Sequence, residues 1–128
     1  MTEPLVLLDS NICIYLIEGL SEHVRRRVET FEPGELVTSA IAFAEVMLGV
    51  DPKDPLKVAN AEAVFDLVPV LPFDAEAALE YWHLPFKRRS FDRLIAAHAL
   101  SLGLPIATND EADFGGIPGL RLENWTLA

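Results

Sequence analysis

With 128 residues, 51% of them apolar and 23% charged, the chain has the size and composition of one ordinary globular domain, expected to span residues 1–128, and a disordered chain is excluded. No apolar run nears the roughly 18 residues a membrane helix needs, and Glu3 stands where a signal peptide carries positive charge, so a cytoplasmic location is expected. The net charge of −10 argues against a general nucleic-acid coat, which depends on basic surface and counterion release, but not against a nuclease with a carboxylate-rich centre. In chain order, LVLLD (5–9) predicts a fully buried strand, and Ser10 is placed to cap a helix through NICIYLIE. Val24, Val28 and Phe31 recur at helical spacing in SEHVRRRVETF, which Pro33 and Gly34 close. ELVTS (35–39) predicts a second strand, followed by the helix AIAFAEVMLG, which ends at Gly49.

After a proline-bounded turn over 51–55, a helix is expected from Leu56 to Asp66, then a short strand LVPVL (67–71) whose Pro69 places it at a sheet edge. Asp74 and Ser90 can cap helices running through Trp82 and from Phe91 to Leu102, the latter stopped by Gly103. LPIAT (104–108) and LRLENW (120–125) supply the last strands, either side of the acidic loop NDEAD and a Gly- and Pro-rich turn. Strands alternating with helices predict an α/β fold: a mostly parallel central sheet of about five strands with helices on both faces. Ligands of such sheets collect beyond the carboxyl ends of the strands, where the strand order reverses.

Carboxylates stand out at that edge. Asp9 ends the first strand, and Asp110 and Asp113 follow the fourth, so they share a pocket if those strands are neighbours. Glu45 shares a stripe with Ile41 and Leu48 on its helix, and Asp92 shares one with Ile95, Ala96 and Ala99. Singly, these acids can be a turn residue, a boundary residue paired with an arginine, and a helix-start acid. Together they repel and raise each other's pKa, and a divalent cation is the usual relief. Oxygen ligands without a Cys or His cluster favour Mg²⁺ or Mn²⁺. The single cysteine, Cys13, reads as a small buried hydrophobe, and His23, His83 and His98 lack metal-ligand spacing. Hydrolysis of a phosphodiester by metal-activated water suits such a centre. Two basic clusters could line it: Arg25, Arg26 and Arg27, also readable as a solvated helix face, and Lys87, Arg88 and Arg89 with Arg93.

The ordered segments LLDSNICIYL, AIAFAEVMLG, SFDRLIAAHALSLGLPIATND and DFGGIPGLRLENW resemble the PIN-domain ribonucleases, specifically the VapC-type toxins of bacterial type II toxin-antitoxin pairs. The resemblance spans nearly the whole chain; residues 50–85 alone carry no diagnostic motif. It implies catalytic, metal-holding roles for Asp9, Glu45 and Asp92, with Asp110 or Asp113 as the fourth acid. Ser10, Asn11, Thr108 and Asn109 would orient Asp9 and the waters around the metal. It further implies Mg²⁺- or Mn²⁺-dependent cleavage of structured RNA, a transfer- or ribosomal-RNA loop, and hence arrest of translation. A homodimer and a cognate antitoxin are the implied partners, the antitoxin's basic tail steered by the negative charge. Ile14, Leu16, Ile17 and Leu20 could offer it a groove beside their use in the core. Two other readings of the residues remain: a non-catalytic binding module on the same fold, and a phosphate-accepting receiver domain, against which stand LPFD after the third strand and the absence of a lysine in the last.

Overall fold

The computed structural model describes residues 2–85 and 90–127. Its elements are β1 (Val6–Leu8), α1 (Ser10–Glu18), α2 (Glu22–Val28), β2 (Leu36–Ser39), α3 (Ala40–Leu48), α4 (Pro55–Leu67), β3 (Val70–Leu71), α5 (Ala75–His83), α6 (Phe91–Leu102), β4 (Ile106–Thr108) and β5 (Leu122–Asn124). A 3-10 turn, Glu111–Phe114, separates β4 from β5. All five strands run parallel in the order β3-β2-β1-β4-β5. The chain therefore builds outward from β1 to β3, then crosses to the other side of β1 for β4. The reversal falls between β1 and β4, as the shared-pocket argument requires.

β1 is central because nothing in it tolerates water: Val6, Leu7 and Leu8 are all buried. Alternate residues of a strand point to opposite faces. Leu7, Val37 and Ile106 accordingly join one apolar cluster, with the α6 residues Ile95, Ala96 and Ala99. Val6, Leu8, Leu36 and Ala107 join the other, with Ile12 and Cys13 of α1 and Val24 of α2. Cys13 is a buried hydrophobe whose thiol, pushed up to about 12 mainly by burial, donates weakly to the Thr38 hydroxyl at 3.8 Å.

Three local expectations change. Asp9, not Ser10, caps α1: its Oδ1 accepts the Ile12 N–H at 2.9 Å, so the residue that ends the strand also starts the helix. The third strand shrinks to Val70–Leu71, because α4 continues through Leu67 and Pro69 has no N–H to give a ladder. It nevertheless occupies the sheet edge. On α3 the core stripe is Ala42 and Val46, whereas Leu48 is 89% exposed, so Ile41, Glu45 and Leu48 form a flank of the helix and not its buried face.

Ser39 joins two elements. Its hydroxyl accepts the Ile41 N–H at 3.1 Å as the cap of α3 and lies 2.8 Å from Nδ1 of buried His98 on α6. Burial lowers the His98 pKa, against a smaller opposing pull from Asp74. Ser39→Ala is expected to lower stability by about 1–2 kcal/mol, since it removes a cap and leaves a buried ring nitrogen without its partner. Chemical denaturation reads this as a lower midpoint at constant slope; an unmoved midpoint would show that neither contact matters.

Candidate active site

The acids come from four separate elements and converge beyond the carboxyl ends of β1 and β4. Asp9 leaves β1 in extended conformation, its N–H donating to the Ala107 carbonyl of β4 at 3.1 Å. Only 3% exposed, its carboxyl is pushed up to about 6. Burial is the main cause; the charges of Asp92 and Glu45 add to it, while bonds from the Thr108 hydroxyl and the Ile12 N–H oppose it. The Thr108 hydroxyl also accepts the Asp110 N–H at 3.0 Å. Its single proton goes to the Asp9 carboxylate in preference to the Asp110 carbonyl 3.4 Å away, because an ionised acceptor is the stronger one.

Glu45 is half-buried on α3. Its pKa is raised by burial and then by the Asp92 charge, against the Ser10 hydroxyl that bonds it. Ser10 thus holds Glu45 and not Asp9. Glu45 Oε1 is buried with no hydrogen-bond partner, and among the described residues Glu45 forms no ion pair with an arginine. Asp92 lies in the first turn of α6, where Ser90 caps the helix through the Arg93 N–H. Burial raises its pKa, followed by the charges of Asp113 and Asp110. Asp113 is raised by partial burial, then by the charge and side chain of Asp110. Asp110 caps the 3-10 turn through the Ala112 N–H at 3.0 Å. The result is one coupled set, with Asp9 and Asp92 linking Glu45 on one side to Asp110 and Asp113 on the other.

The coupling stops short of a finished cage. Among the described residues, no group of three or more His, Cys, Asp or Glu side chains has the geometry to hold an ion. The donor chemistry fits one: the set is all oxygen, several members have raised pKa values, and Glu45 Oε1 is buried without a donor.

The remaining expected site residues divide. Asn109 is held in place, its Nδ2 donating to the Tyr15 hydroxyl at 3.1 Å and its carbonyl accepting from Asn124 Nδ2 at 3.5 Å, while its Oδ1 is buried without a partner. Asn11 is exposed on the first turn of α1. Arg93 is a correction: at 8% exposure it is buried on α6 and does not belong to a surface rim for phosphates. Lys87, Arg88 and Arg89 lie outside the described residues. Tyr15 and Asn124 were missed by sequence reasoning. The signal was present for Tyr15, an amphipathic ring whose hydroxyl needs a partner when half-buried; a lone asparagine ending a short strand carries none.

The PIN domain profile matches residues 6–119, a stretch that holds every acid of the set. The chain belongs to the PIN-domain family, among its VapC members. It is 30% identical over 128 residues to the tRNA(fMet)-specific endonuclease VapC of Salmonella typhimurium, covering 93% of this chain and 96% of that protein. Against the Shigella flexneri protein of the same description the identity is 32% over 129 residues, with 94% and 97% covered. In three dimensions this PIN domain superposes on a chain of DNA-bound VapBC from Salmonella typhimurium with a TM-score of 0.85 at 29% identity, covering 95% of this chain and 98% of that one. VapBC2 from Rickettsia felis, bound to a promoter DNA fragment, gives 0.84 at 26% identity, with 94% and 98% covered. Membership of the PIN-domain family removes the receiver-domain alternative.

Proposed function

We propose that this PIN domain, acting as one unit over residues 1–128, is the toxin of a toxin-antitoxin pair: a divalent-metal-dependent endoribonuclease that cuts structured RNA, a transfer- or ribosomal-RNA loop, and thereby stops translation. The observation that carries this reading is the buried Asp9 at the β1–β4 switch point, pushed up to about 6 within electrostatic reach of Glu45 and Asp92. Such a set is unfavourable alone and is relieved by a cation.

Asp9, Glu45 and Asp92, with Asp110 or Asp113, would hold Mg²⁺ or Mn²⁺, since hard oxygen donors without thiolate or imidazole select those ions. The ion supplies neutralisation of the scissile phosphate and activation of water. The chain's own residues do the positioning. Thr108 and the Ile12 N–H fix the Asp9 carboxylate, Ser10 fixes Glu45, and Tyr15 with Asn124 fixes Asn109. Lys87, Arg88 and Arg89, beside Asp92 in sequence, hold flanking phosphates. The place of action is the cytoplasm, where such RNA is found.

The partner we assign is a cognate antitoxin with a basic tail. A cleft of about 100 Å³ between α1 and α3 is lined by Ile14, Ile17 and Val46 and reaches Glu45. It adjoins a second, of about 310 Å³, that shares Ile17, Gly49 and Val50 and extends to Leu56 of α4. An apolar segment lying there would bring a cationic side chain to the acidic centre. Leu20, 59% exposed, lies beyond the end of α1 and lines neither cleft. We also assign a homodimer, for which the exposed Leu48 and Phe91 supply apolar surface to cover.

The deciding experiment is induction of wild type and Asp9→Asn in a bacterial host, followed by sequencing of RNA 5′-phosphate ends. Growth arrest with one dominant new end, absent in the variant, is the expected result. Antitoxin binding without any new end would reassign the protein as a non-catalytic binding module. Thr108→Val tests the positioning argument. Losing the hydroxyl that steadies Asp9 is expected to weaken metal affinity about 10- to 100-fold, read from the Mn²⁺ dependence of cleavage; an unchanged dependence would mean that Thr108 plays no part.

A further inference from the structure

A cleft of about 420 Å³ opens between α2 and the end of β5, lined by His23, Arg26, Arg27 and Thr30 on one side and by Glu123, Asn124 and Trp125 on the other. His23, Arg26 and Arg27 follow the i, i+3, i+4 spacing on α2, with Thr30 just past the helix end, so the α2 register turns the three side chains towards the strand end. The first arginine cluster is thus divided by the helix: Arg25 is absent from the lining. Arg27 is committed to the wall. It pairs with Glu123 at 3.3 Å and lies over the Phe31 and Trp125 rings at 5.6 and 5.7 Å, while Trp125 Nε1 donates to the same Glu123 at 2.9 Å. Among the described residues, the one carboxylate lining the cleft is therefore already paired.

Arg26 is differently placed. Its only ion pair among the described residues is an Nε contact of 3.3 Å with Glu22, a carboxylate that Arg25 already holds through two nitrogens. Its side chain is 72% exposed, and exposed pairs of this kind are weak and exchangeable. With Arg27 balanced by Glu123, Arg26 is the exchangeable cation of the cleft in a chain of net charge −10.

A relay of hydrogen bonds links the cleft wall to the acidic centre. Asn124, which lines it, is the register partner of Thr108 and donates to the Asn109 carbonyl. Thr108 in turn bonds Asp9. With β4 as the single strand between β5 and β1, the ends of those two strands stand roughly 10 Å apart, which a short piece of single-stranded RNA spans. The β5 wall, from Glu123 onward, lies beyond the residues that the PIN domain profile matches.

We propose that this cleft is a second RNA contact, a phosphate-binding subsite in which Arg26, with His23 and Thr30, holds the strand flanking the cleaved bond. The proposal rests on the ribonuclease reading above. Trp125 is buried and stacked on Phe31 at 5.5 Å, so the subsite takes backbone phosphate and does not stack a base.

The test compares Arg26→Gln with Arg25→Gln, two neighbouring exposed arginines that lose the same charge on different faces of α2. Filter binding to end-labelled total bacterial RNA is measured in the Asp9→Asn background across a salt series, and cleavage of the same RNA is measured in the wild-type background. Arg26→Gln is expected to weaken binding about five- to tenfold and to flatten the log–log salt slope by about one. Arg25→Gln should stay within about twofold, and Arg26→Lys should recover most of the loss. Equal effects of the two glutamine variants, or none, would overturn the subsite while leaving the nuclease intact. So would an Arg26→Gln protein that binds RNA normally but loses antitoxin, which would give the cleft to a protein partner. A wild type that neither binds nor cuts the RNA would remove the ribonuclease reading itself, and this subsite with it.

Discussion

Asp9→Asn is expected to reduce RNA cleavage roughly thousandfold or more while leaving the metal-free protein at least as stable as wild type. The activity loss follows from taking away a central anionic ligand: metal stabilisation of transition-state charge is worth several kcal/mol, and each 1.36 kcal/mol is about tenfold. Stability behaves differently because Asp9 is a helix cap as well as an acid. Asparagine caps as well as aspartate, so the bond from the Ile12 N–H survives. What disappears is a buried charge.

The pH dependence has a definite sign. Below 3.8 the folded and unfolded chains both keep the Asp9 proton, and the group contributes nothing. Between 3.8 and about 6 the unfolded chain ionises first, so the folded state loses stability as pH rises through that window. Above about 6 the full penalty remains, about 3 kcal/mol. In EDTA at pH 7.5, Asp9→Asn should therefore match or exceed wild type in urea midpoint, and the difference should close towards pH 4. A variant much less stable than wild type at pH 7.5 would show that the carboxylate is structural. Cleavage at the wild-type rate would sink the catalytic assignment.

The second large effect is on stability, through metal addition. Burial and mutual repulsion raise Asp9, Glu45, Asp92 and Asp113 together, so an ion that binds the folded chain alone relieves several unfavourable terms at once. At an ion concentration about a hundredfold above its dissociation constant the stabilisation is about 2.7 kcal/mol. For a chain of this length that corresponds to about 10 °C in Tm. Calorimetry in EDTA and in Mn²⁺ should show this gain for wild type and most of it gone in Asp9→Asn. The gain should also shrink from pH 7 to pH 5, because acids with raised pKa values hold protons that the ion must displace. Identical melting in EDTA and Mn²⁺ would leave the acids as an electrostatic cluster without a metal role.

Much of this molecule is written in local pattern. The apolar run at 6–8 and the short IAT segment at 106–108 read as buried strands, Ser90 and Gly103 bracket α6, and Pro69 sends β3 to the edge. The acids were conspicuous for the same reason: Asp9 and Asp110 follow strands, where chain direction alone puts them at one edge of a parallel sheet. These features depend on periodicity, capping and turn chemistry, which act over a few residues.

Facing and burial were decided elsewhere. That Ile41, Glu45 and Leu48 form a flank of α3, that Arg93 is buried although it neighbours a basic run, and that Ser10 holds Glu45 all depend on which distant segment packs against which side. The same holds for Asn109, whose two holders sit 94 residues before it and 15 after it. An RRR run reads as a single charge patch, yet contact with β5 gives Arg27 to a wall and Arg26 to the cleft and leaves Arg25 outside. Sequence by itself determined the elements and the inventory of acids, because those follow from neighbours along the chain. Tertiary structure alone decided which side chains meet and which lose their water, because desolvation and charge coupling depend on neighbours in space.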